Sequence, residues 1–228
     1  MTQLHGVILD VDGTLIDSNS AHARAWQEAL HEYGYDMSFG EIRRLIGMGG
    51  DNLLPVLIEV EKESAQGSRI EARRGEIFRT RYLPGLHAFP EAHELLVKMR
   101  ESGLDLLVAT SAKQQEVEQL LDLVEAKALV RHILTSDDAK RSKPEPDIVQ
   151  AALKKAGYTP DQVIMLGDTP YDIEAAARTG VPTIALRCGG WTDPDLNGAV
   201  AIYEDPADLL AHFAQSPLAP APVAAASS

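Results

Sequence analysis

The order of the apolar segments constrains the fold of this chain more than any other feature. One short run, Gly6-Val7-Ile8-Leu9-Asp10, lies near the N-terminus and ends in acidic residues and a glycine. This pattern is typical of a buried strand that stops at a polar loop. Beyond Leu83-Pro84-Gly85, strand and helix patterns alternate. Strands joined by helical crossovers form a parallel sheet that is covered on both faces, so we expect a doubly wound, Rossmann-like α/β core.

Hydrophobic periodicity and turn residues place the elements of this alternating part. The predicted strands are Leu104–Ala109, Ile133–Thr135, Val163–Leu166 and Thr183–Leu186, the predicted helices are Glu91–Ser102, Gln114–Leu123, Pro146–Ala156 and Asp172–Thr179, and a last strand and helix fall across Val200–Phe213.

The segment between the first strand and this alternating part has only helical periodicity. Ala21, Ala25 and Trp26 share one face near its start, and further amphipathic segments follow as far as Tyr82. We therefore predict a Rossmann-like catalytic core at residues 1–16 and 86–215, with an all-helical cap inserted at 17–85. The Pro-, Ala- and Ser-rich residues 216–228 predict a disordered tail.

Charge and cysteine content limit the possible partners. The chain has 21 Lys+Arg against 34 Asp+Glu among 228 residues, a formal charge of -13, which argues against nucleic acid or an anionic membrane as the main partner. A small anionic substrate held by a few local cations is compatible with it. The single cysteine, Cys188, excludes an internal disulfide, and neither a signal peptide nor a membrane-spanning segment is indicated. We expect a cytoplasmic monomer or homodimer.

Polar residues follow several of the predicted strands. In doubly wound sheets ligands bind at the carboxyl ends of the strands, where such residues converge. Four carboxylates on one rim repel one another unless a cation lies among them, so a hard divalent metal is expected there. The residues concerned are Asp10, Asp12, Thr110, Ser111, Asp168 and Asp172, together with Lys143 shortly before a helix.

In this ordered set of motifs the sequence resembles the haloacid dehalogenase-like hydrolases, specifically their phosphatase and phosphomutase branch with a helical cap after the first motif. The resemblance covers nearly the whole chain. It depends on four motifs in the family's order: the run from Asp10 to Thr14, Thr110 after a strand, Lys143 in a Lys-Pro-x-Pro-Asp context, and Gly167-Asp168 with Asp172 four residues on.

The resemblance implies a role for each matching residue. A carboxylate nucleophile splits phosphate-ester hydrolysis into two steps through an aspartyl-phosphate, and this role falls to Asp10. Asp12 would act as general acid and base. The family's Mg²⁺ would be held by the carboxylates of Asp10 and Asp168 and the backbone carbonyl of Asp12, with Asp172 orienting its water shell. The phosphate-binding residues would be Thr110, Lys143 and, through its backbone N–H, Ser111.

The predicted function is a Mg²⁺-dependent phosphatase for a small phosphorylated metabolite, similar to the phosphoglycolate phosphatases. A sugar-phosphate mutase of the same fold is the nearest alternative, although Gly50 stands where sugar-bisphosphate mutases carry an arginine for a second phosphate. A dehalogenase lacks the second aspartate that Asp12 supplies. A non-enzymatic phospho-accepting switch would carry its aspartate on a mid-chain strand, whereas Asp10 is on the first.

Some residues have two interpretations. Thr110 and Ser111 are either phosphate ligands or caps of the helix that begins near Lys113. Asp172 is a site residue, a helix N-terminal acid, or both. The Gly47-Met48-Gly49-Gly50 segment is either a loop that faces substrate or a turn between helices. His22 and Trp26 are interpreted as a hinge hydrogen bond and a helix-packing residue.

Overall fold

A computed structural model describes residues 3–219 of the chain. Within these residues six strands form one sheet, and nine α-helices pack around it or form the cap. The strands are β1 (Gly6–Leu9), β2 (Asp105–Ala109), β3 (Val130–Leu134), β4 (Val163–Gly167), β5 (Thr183–Leu186) and β6 (Ala201–Tyr203). The helices are α1 (Asn19–Glu32), α2 (Phe39–Arg43), α3 (Gly50–Ile58), α4 (Ala65–Ile77), α5 (Ala92–Glu101), α6 (Gln114–Leu123), α7 (Asp147–Ala156), α8 (Pro170–Ala177) and α9 (Pro206–Ala211).

The sheet is parallel throughout, in the order β3-β2-β1-β4-β5-β6. The strand order reverses at β1, which pairs with β2 on one side and β4 on the other. In open α/β sheets this reversal opens a crevice at the carboxyl ends of the strands, where ligands bind. The expected Rossmann-like α/β core is therefore confirmed, and the reversal falls at the strand that leads into Asp10.

Helices cover both faces of the sheet. Val7 and Leu9 point into one apolar cluster, which contains residues of α5, α6 and α9, whereas Ile8 points into a second cluster with residues of α7 and α8. All three side chains are fully buried. Because successive strand residues face opposite sides, an apolar run without alternation is the pattern that a strand buried on both faces requires.

Helices α1 to α4 form the inserted cap. Helix α1 packs against α2 and α4, and Leu30, Ile42 and Ile70 are completely buried within this bundle. The two chain segments between core and cap lie side by side, because the Asp17 N–H donates to the His87 carbonyl at 3.1 Å and the Phe89 N–H to the Leu15 carbonyl at 2.9 Å. The chain therefore leaves and re-enters the core at neighbouring positions, close to the Asp10 to Thr14 run. The predicted boundaries of the cap at residues 17 and 85 stay a prediction.

Two predictions need correction. Strand β3 begins at Val130 rather than Ile133, and it includes Arg131 and His132, which an edge strand accommodates because one side of it faces solvent. The predicted tail is wrong for residues 216–219, since Leu218 is buried in the apolar core and the Ser216 hydroxyl donates to the Phe213 carbonyl at 2.8 Å. Residues 220–228 of the predicted tail lie outside the described residues.

No helix among residues 3–219 has the length and apolar composition needed to cross a membrane.

Candidate active site

The ends of β1 and β4 place two aspartates side by side. The Asp10 N–H donates to the Leu166 carbonyl at 2.9 Å, which extends the pairing of the two strands by one residue, and Asp168 directly follows β4. With Asp172 in the first turn of α8, these residues each offer a carboxylate oxygen within 4.8 Å of the others. All three are buried.

Thr14 and Asn19 hold Asp168 in place. The Thr14 hydroxyl lies 2.9 Å from Asp168 Oδ1 and 3.3 Å from Asp10 Oδ2, and Asn19 Nδ2 donates to Asp168 Oδ2 at 2.8 Å. The turn that brings them together requires a glycine. Gly13 has φ of +81°, and a Cβ there would lie 2.0 Å from Asn19 Nδ2 and 2.4 Å from Asp168 Oδ2.

Lys143 is 1% exposed and joins two of these carboxylates. Its Nζ donates to Asp10 Oδ1 at 2.5 Å and to Asp172 Oδ1 at 2.7 Å. The other oxygen of Asp172 accepts from the backbone N–H and the hydroxyl of Thr169, at 3.1 and 2.7 Å, in a capping box at the start of α8. Asp172 is therefore both a helix N-terminal acid and a member of the polar cluster.

The cluster carries more negative charge than its own lysine can balance. Burial raises the pKa of Asp10 well above its ordinary value, and Asp172 and Asp168 add to this against the opposing effect of Lys143. Burial and the charge of Asp172 raise the pKa of Asp168 to about 7. Burial would lower the pKa of Lys143, but Asp10 and Asp172 raise it, so the lysine is held as a cation. Three convergent carboxylates with one ammonium group fit a divalent cation such as Mg²⁺.

Asp12 has different partners from the other aspartates. Its Oδ1 accepts from the Ser18 hydroxyl at 2.5 Å and lies 2.8 Å from His22 Nε2, and the His22 ring stacks on Phe78 at 3.9 Å between centroids. Burial would raise the pKa of Asp12, but His22 and Ser18 lower it below its ordinary value. Its carboxylate is not part of the three-carboxylate cluster, and the predicted metal contact through its backbone carbonyl stays a prediction.

Thr110 and Ser111 follow β2 without capping a helix. Helix α6 begins at Gln114, and its N-cap residue, Lys113, makes no side-chain cap. The Thr110 hydroxyl accepts from the Ala112 N–H at 3.1 Å, and the Ser111 hydroxyl is buried with no hydrogen-bond partner in the described part of the chain. The capping interpretation is wrong for both, and an unpartnered buried hydroxyl at this edge can serve a ligand.

An open cleft lies between the core and the cap. The predicted site residues in its wall are Asp10, Asp12, Thr110 and Ser111, and the cap contributes His22, Trp26, the Gly47–Gly50 segment, Lys62, Glu71 and Arg74. Residues 47–50 lead from α2 into α3, as the turn interpretation requires, and they also line the cleft; that they face substrate stays a prediction.

Polar contacts seat the cap on the core beside Lys143. Asn52 Nδ2 donates to the backbone carbonyls of Ser142 and Lys143 at 3.2 and 3.1 Å, and Asp51 Oδ2 accepts from the Ser142 N–H at 2.9 Å. On the other side of the cleft, Arg74 of α4 donates to Glu116 of α6 at 3.2 Å. Helix α3 therefore binds the loop that carries the lysine, and its first residue, Gly50, also lines the cleft.

Sequence reasoning missed several of these residues. Asn19 has no periodic or motif signal, because its role depends on a contact with Asp168, 149 positions away. Glu71 and Arg74 could have been identified from helical periodicity, because they share the buried face of α4 with Ile70 and Ile77. Charged residues at apolar positions of an amphipathic helix are seldom buried unless they are paired.

Comparison with known proteins places this arrangement in a family. Residues 7–186 match the sequence profile of the family described as "Haloacid dehalogenase-like hydrolase". This span contains every candidate site residue discussed above.

Individual relatives agree in sequence and in fold. A phosphoglycolate phosphatase of Aliivibrio fischeri is 28% identical over 190 residues, which cover 80% of this chain and 84% of that protein. The crystal structure of a hydrolase from Pseudomonas syringae superposes with a TM-score of 0.86 at 32% identity, covering 92% of this chain and 98% of the other. A chain described as a beta-phosphoglucomutase from Bacteroides vulgatus superposes with a TM-score of 0.83 at 25% identity, over 92% and 87%. The chain belongs to the haloacid dehalogenase-like hydrolase family.

Proposed function

We propose that the protein is a cytoplasmic, Mg²⁺-dependent phosphatase that hydrolyses a small phosphomonoester through an aspartyl-phosphate on Asp10. The observation that carries the proposal is the position of Asp10, a buried carboxylate that Lys143 and Thr14 hold in the wall of the cleft, beside two further carboxylates. A monomer or homodimer stays the prediction for its oligomeric state.

In the first half-reaction, a carboxylate oxygen of Asp10 attacks phosphorus, and the bond from phosphorus to the leaving oxygen breaks. In the enzyme form whose Asp12 carboxyl is protonated, Asp12 gives that proton to the leaving oxygen and becomes a carboxylate. In the second, Asp12 takes a proton from water, the water oxygen attacks phosphorus, and the bond to Asp10 breaks to release phosphate. Ser18 and His22 hold the Asp12 carboxyl in place during both steps.

Three donor groups of the core suit the phosphoryl oxygens. Lys143 is fixed by Asp172 as well as by Asp10, so it is positioned before substrate arrives. The unpartnered hydroxyl of Ser111 and the neighbouring Thr110 supply donors at the end of β2. Donors that need no rearrangement stabilise the transition state most effectively.

The carboxylates of Asp10 and Asp168, with the backbone carbonyl of Asp12, would hold Mg²⁺, and Asp172 would orient its water ligands. When bound, the ion would offset the repulsion between a carboxylate nucleophile and an anionic phosphate ester. Burial and the neighbouring carboxylates raise the pKa values of Asp10 and Asp168, and a bound cation would offset both effects, which supports this assignment.

A hydrolase is favoured over a mutase by the space around Gly50. Gly50 supplies no cation for a second phosphate, and a Cβ there would lie 2.2 Å from Glu71 Oε2 and 3.3 Å from Trp26 Cζ2. The name of the Aliivibrio fischeri relative, a phosphoglycolate phosphatase, supports the same choice.

Asp10→Asn tests the proposal, because an amide is the same size but is not a nucleophile. With p-nitrophenyl phosphate and Mg²⁺ we expect kcat to fall at least about a thousandfold, and wild-type activity to vanish with a chelator and return with added Mg²⁺. Asp17→Asn, an exposed aspartate nearby, is the matched control and should keep the wild-type rate. An Asp10→Asn variant with wild-type kcat would remove Asp10 as the nucleophile.

A further inference from the structure

Glu71 has a carboxylate oxygen for which residues 3–219 supply no hydrogen-bond partner. The side chain is 6% exposed and lies in the wall of the cleft. Its Oε1 accepts from Arg74 Nη2 at 3.0 Å, whereas Oε2 has no hydrogen-bond partner among the described residues. Burying a charged oxygen without a hydrogen bond is costly, so a donor from the contents of the cleft is needed.

Glu71 is an acceptor at neutral pH. Burial alone would raise its pKa, but the positive charges of Arg74, Lys62 and Lys113 lower the pKa below its ordinary value. An ionised carboxylate accepts hydrogen bonds and donates none. The missing partner of Oε2 is therefore a donor.

Residue 50, which packs against this oxygen, has no side chain. Oε2 lies against the Cα of Gly50, where any Cβ would come within 2.2 Å of it. Gly50 and its neighbours Gly47, Met48 and Gly49 line the same cleft as Asp10. Glu71 and Asp10 therefore share one cleft, and the part of its wall next to Oε2 has no side chain at residue 50.

The surrounding charges select the kind of donor. Arg74 binds Glu71 directly and Lys113 Nζ lies 3.9 Å from Oε1, so the charge of the carboxylate is already balanced and a further ammonium group would be repelled. A substrate carboxylate would bring no donor to Oε2, and its repulsion by Glu71 and Glu116 would be offset by Arg74, Lys62 and Lys113 in the same wall. A neutral hydroxyl donates to Oε2 without either penalty.

We infer that Glu71 determines specificity by accepting a hydrogen bond from a hydroxyl of the leaving group, so that the preferred substrates are phosphate esters of sugars or polyols rather than of carboxylic acids. This inference rests on the proposed phosphatase function, because it concerns the leaving group of the ester that Asp10 attacks.

A matched pair of esters tests it. Ribitol 5-phosphate and n-pentyl phosphate share a five-carbon chain and differ in their hydroxyls. Hydrogen bonds to charged groups predict a preference of about 10- to 100-fold in kcat/KM for the ribitol ester in the wild-type enzyme. Phosphoglycolate and phosphoethanolamine, which carry a carboxylate and an ammonium group, should both be poorer substrates than the ribitol ester.

Glu71→Gln separates recognition from a merely structural role. Glutamine keeps an oxygen for Arg74 but places an amide donor at the Oε2 position. We expect the ribitol preference to fall at least about tenfold in kcat/KM. Glu76→Gln is the control, because Glu76 is on the same helix and pairs with Arg73 at 2.8 Å on the surface. It should keep the wild-type preference.

The outcomes distinguish the two proposals. Wild-type preference for phosphoglycolate or phosphoethanolamine, or equal losses on both five-carbon esters in Glu71→Gln, would overturn the inference while hydrolysis that needs Asp10 continued. Failure to hydrolyse even p-nitrophenyl phosphate would overturn the phosphatase function itself. The wild-type comparison stands alone if Glu71→Gln does not fold.

Discussion

Lys143→Met removes the ammonium group that lies between the carboxylates of Asp10 and Asp172. Methionine resembles lysine in length and lacks branching, so it suits a site where only 1% of the residue is exposed. The substitution deletes the hydrogen bonds to Asp10 at 2.5 Å and to Asp172 at 2.7 Å. It also removes a positive charge next to the proposed nucleophile.

Two effects of different size follow. Removing one partner of a buried ion pair costs about 3–5 kcal/mol of stability, which for a chain of this length lowers Tm by about 6–20 °C. Losing one preorganised donor from a transition state costs about 10²–10³-fold in kcat. The fall in kcat is far larger than measurement error. This holds even if bound Mg²⁺ offsets part of the loss of stability.

The assay is steady-state hydrolysis of p-nitrophenyl phosphate with saturating Mg²⁺, at a temperature where circular dichroism reports the variant to be folded. Lys140→Met is the control, since Lys140 is an exposed lysine three positions earlier, and its kcat and Tm should match the wild type. A folded Lys143→Met enzyme with kcat within threefold of wild type would refute the electrostatic role assigned to Lys143.

Two further predictions concern Asp105, the first residue of β2, and Asn52 of the cap helix α3. Asp105 accepts from Tyr158 and Arg100 at 2.6 and 2.8 Å; burial would raise its pKa, but hydrogen bonds from Tyr158, Arg131 and Arg100 lower it to about 2. Because the pKa of Asp105 is lower in the folded than in the unfolded state, the ionised carboxylate stabilises the fold at pH values above its unfolded-state pKa. Asp105→Asn should therefore lower the free energy of unfolding in urea by about 1–2 kcal/mol at pH 7. This difference should shrink as the pH falls from about 4 to 2. Asn52→Ala deletes two hydrogen bonds to the Lys143 loop and should lower kcat/KM about 5- to 30-fold, whereas exposed Asn197→Ala should not.

The core half of the site could be predicted because strand ends obey a simple rule. Polar residues that directly follow parallel strands share one edge of the sheet, so Asp10 and Asp168 had to be close once β1 and β4 were placed. Lys143 does not follow a strand, and its position between Asp10 and Asp172 was expected only from the family's motif. Its burial between them is the result of tertiary packing.

The cap half could not be predicted in the same way. Helical periodicity located α1 and α4, but it does not report which turn of a helix faces the cleft. The contact between Arg74 and Glu116 joins α4 to α6 across 42 positions of sequence, and neither residue belongs to a motif. Substrate recognition by such residues depends on the angle between packed helices, which apolar patterns leave undetermined.

The cap contacts link recognition of the leaving group to placement of the catalytic lysine. Asp51 and Asn52 bind the backbone of Ser142 and Lys143, and Gly50, which precedes them, forms the wall next to Glu71. A hydroxyl that donates to Glu71 would therefore stabilise the same seated cap that holds the Lys143 loop against the cluster. Binding energy from a part of the substrate that does not react would then be used to position a group that acts in the transition state, which raises kcat as well as affinity.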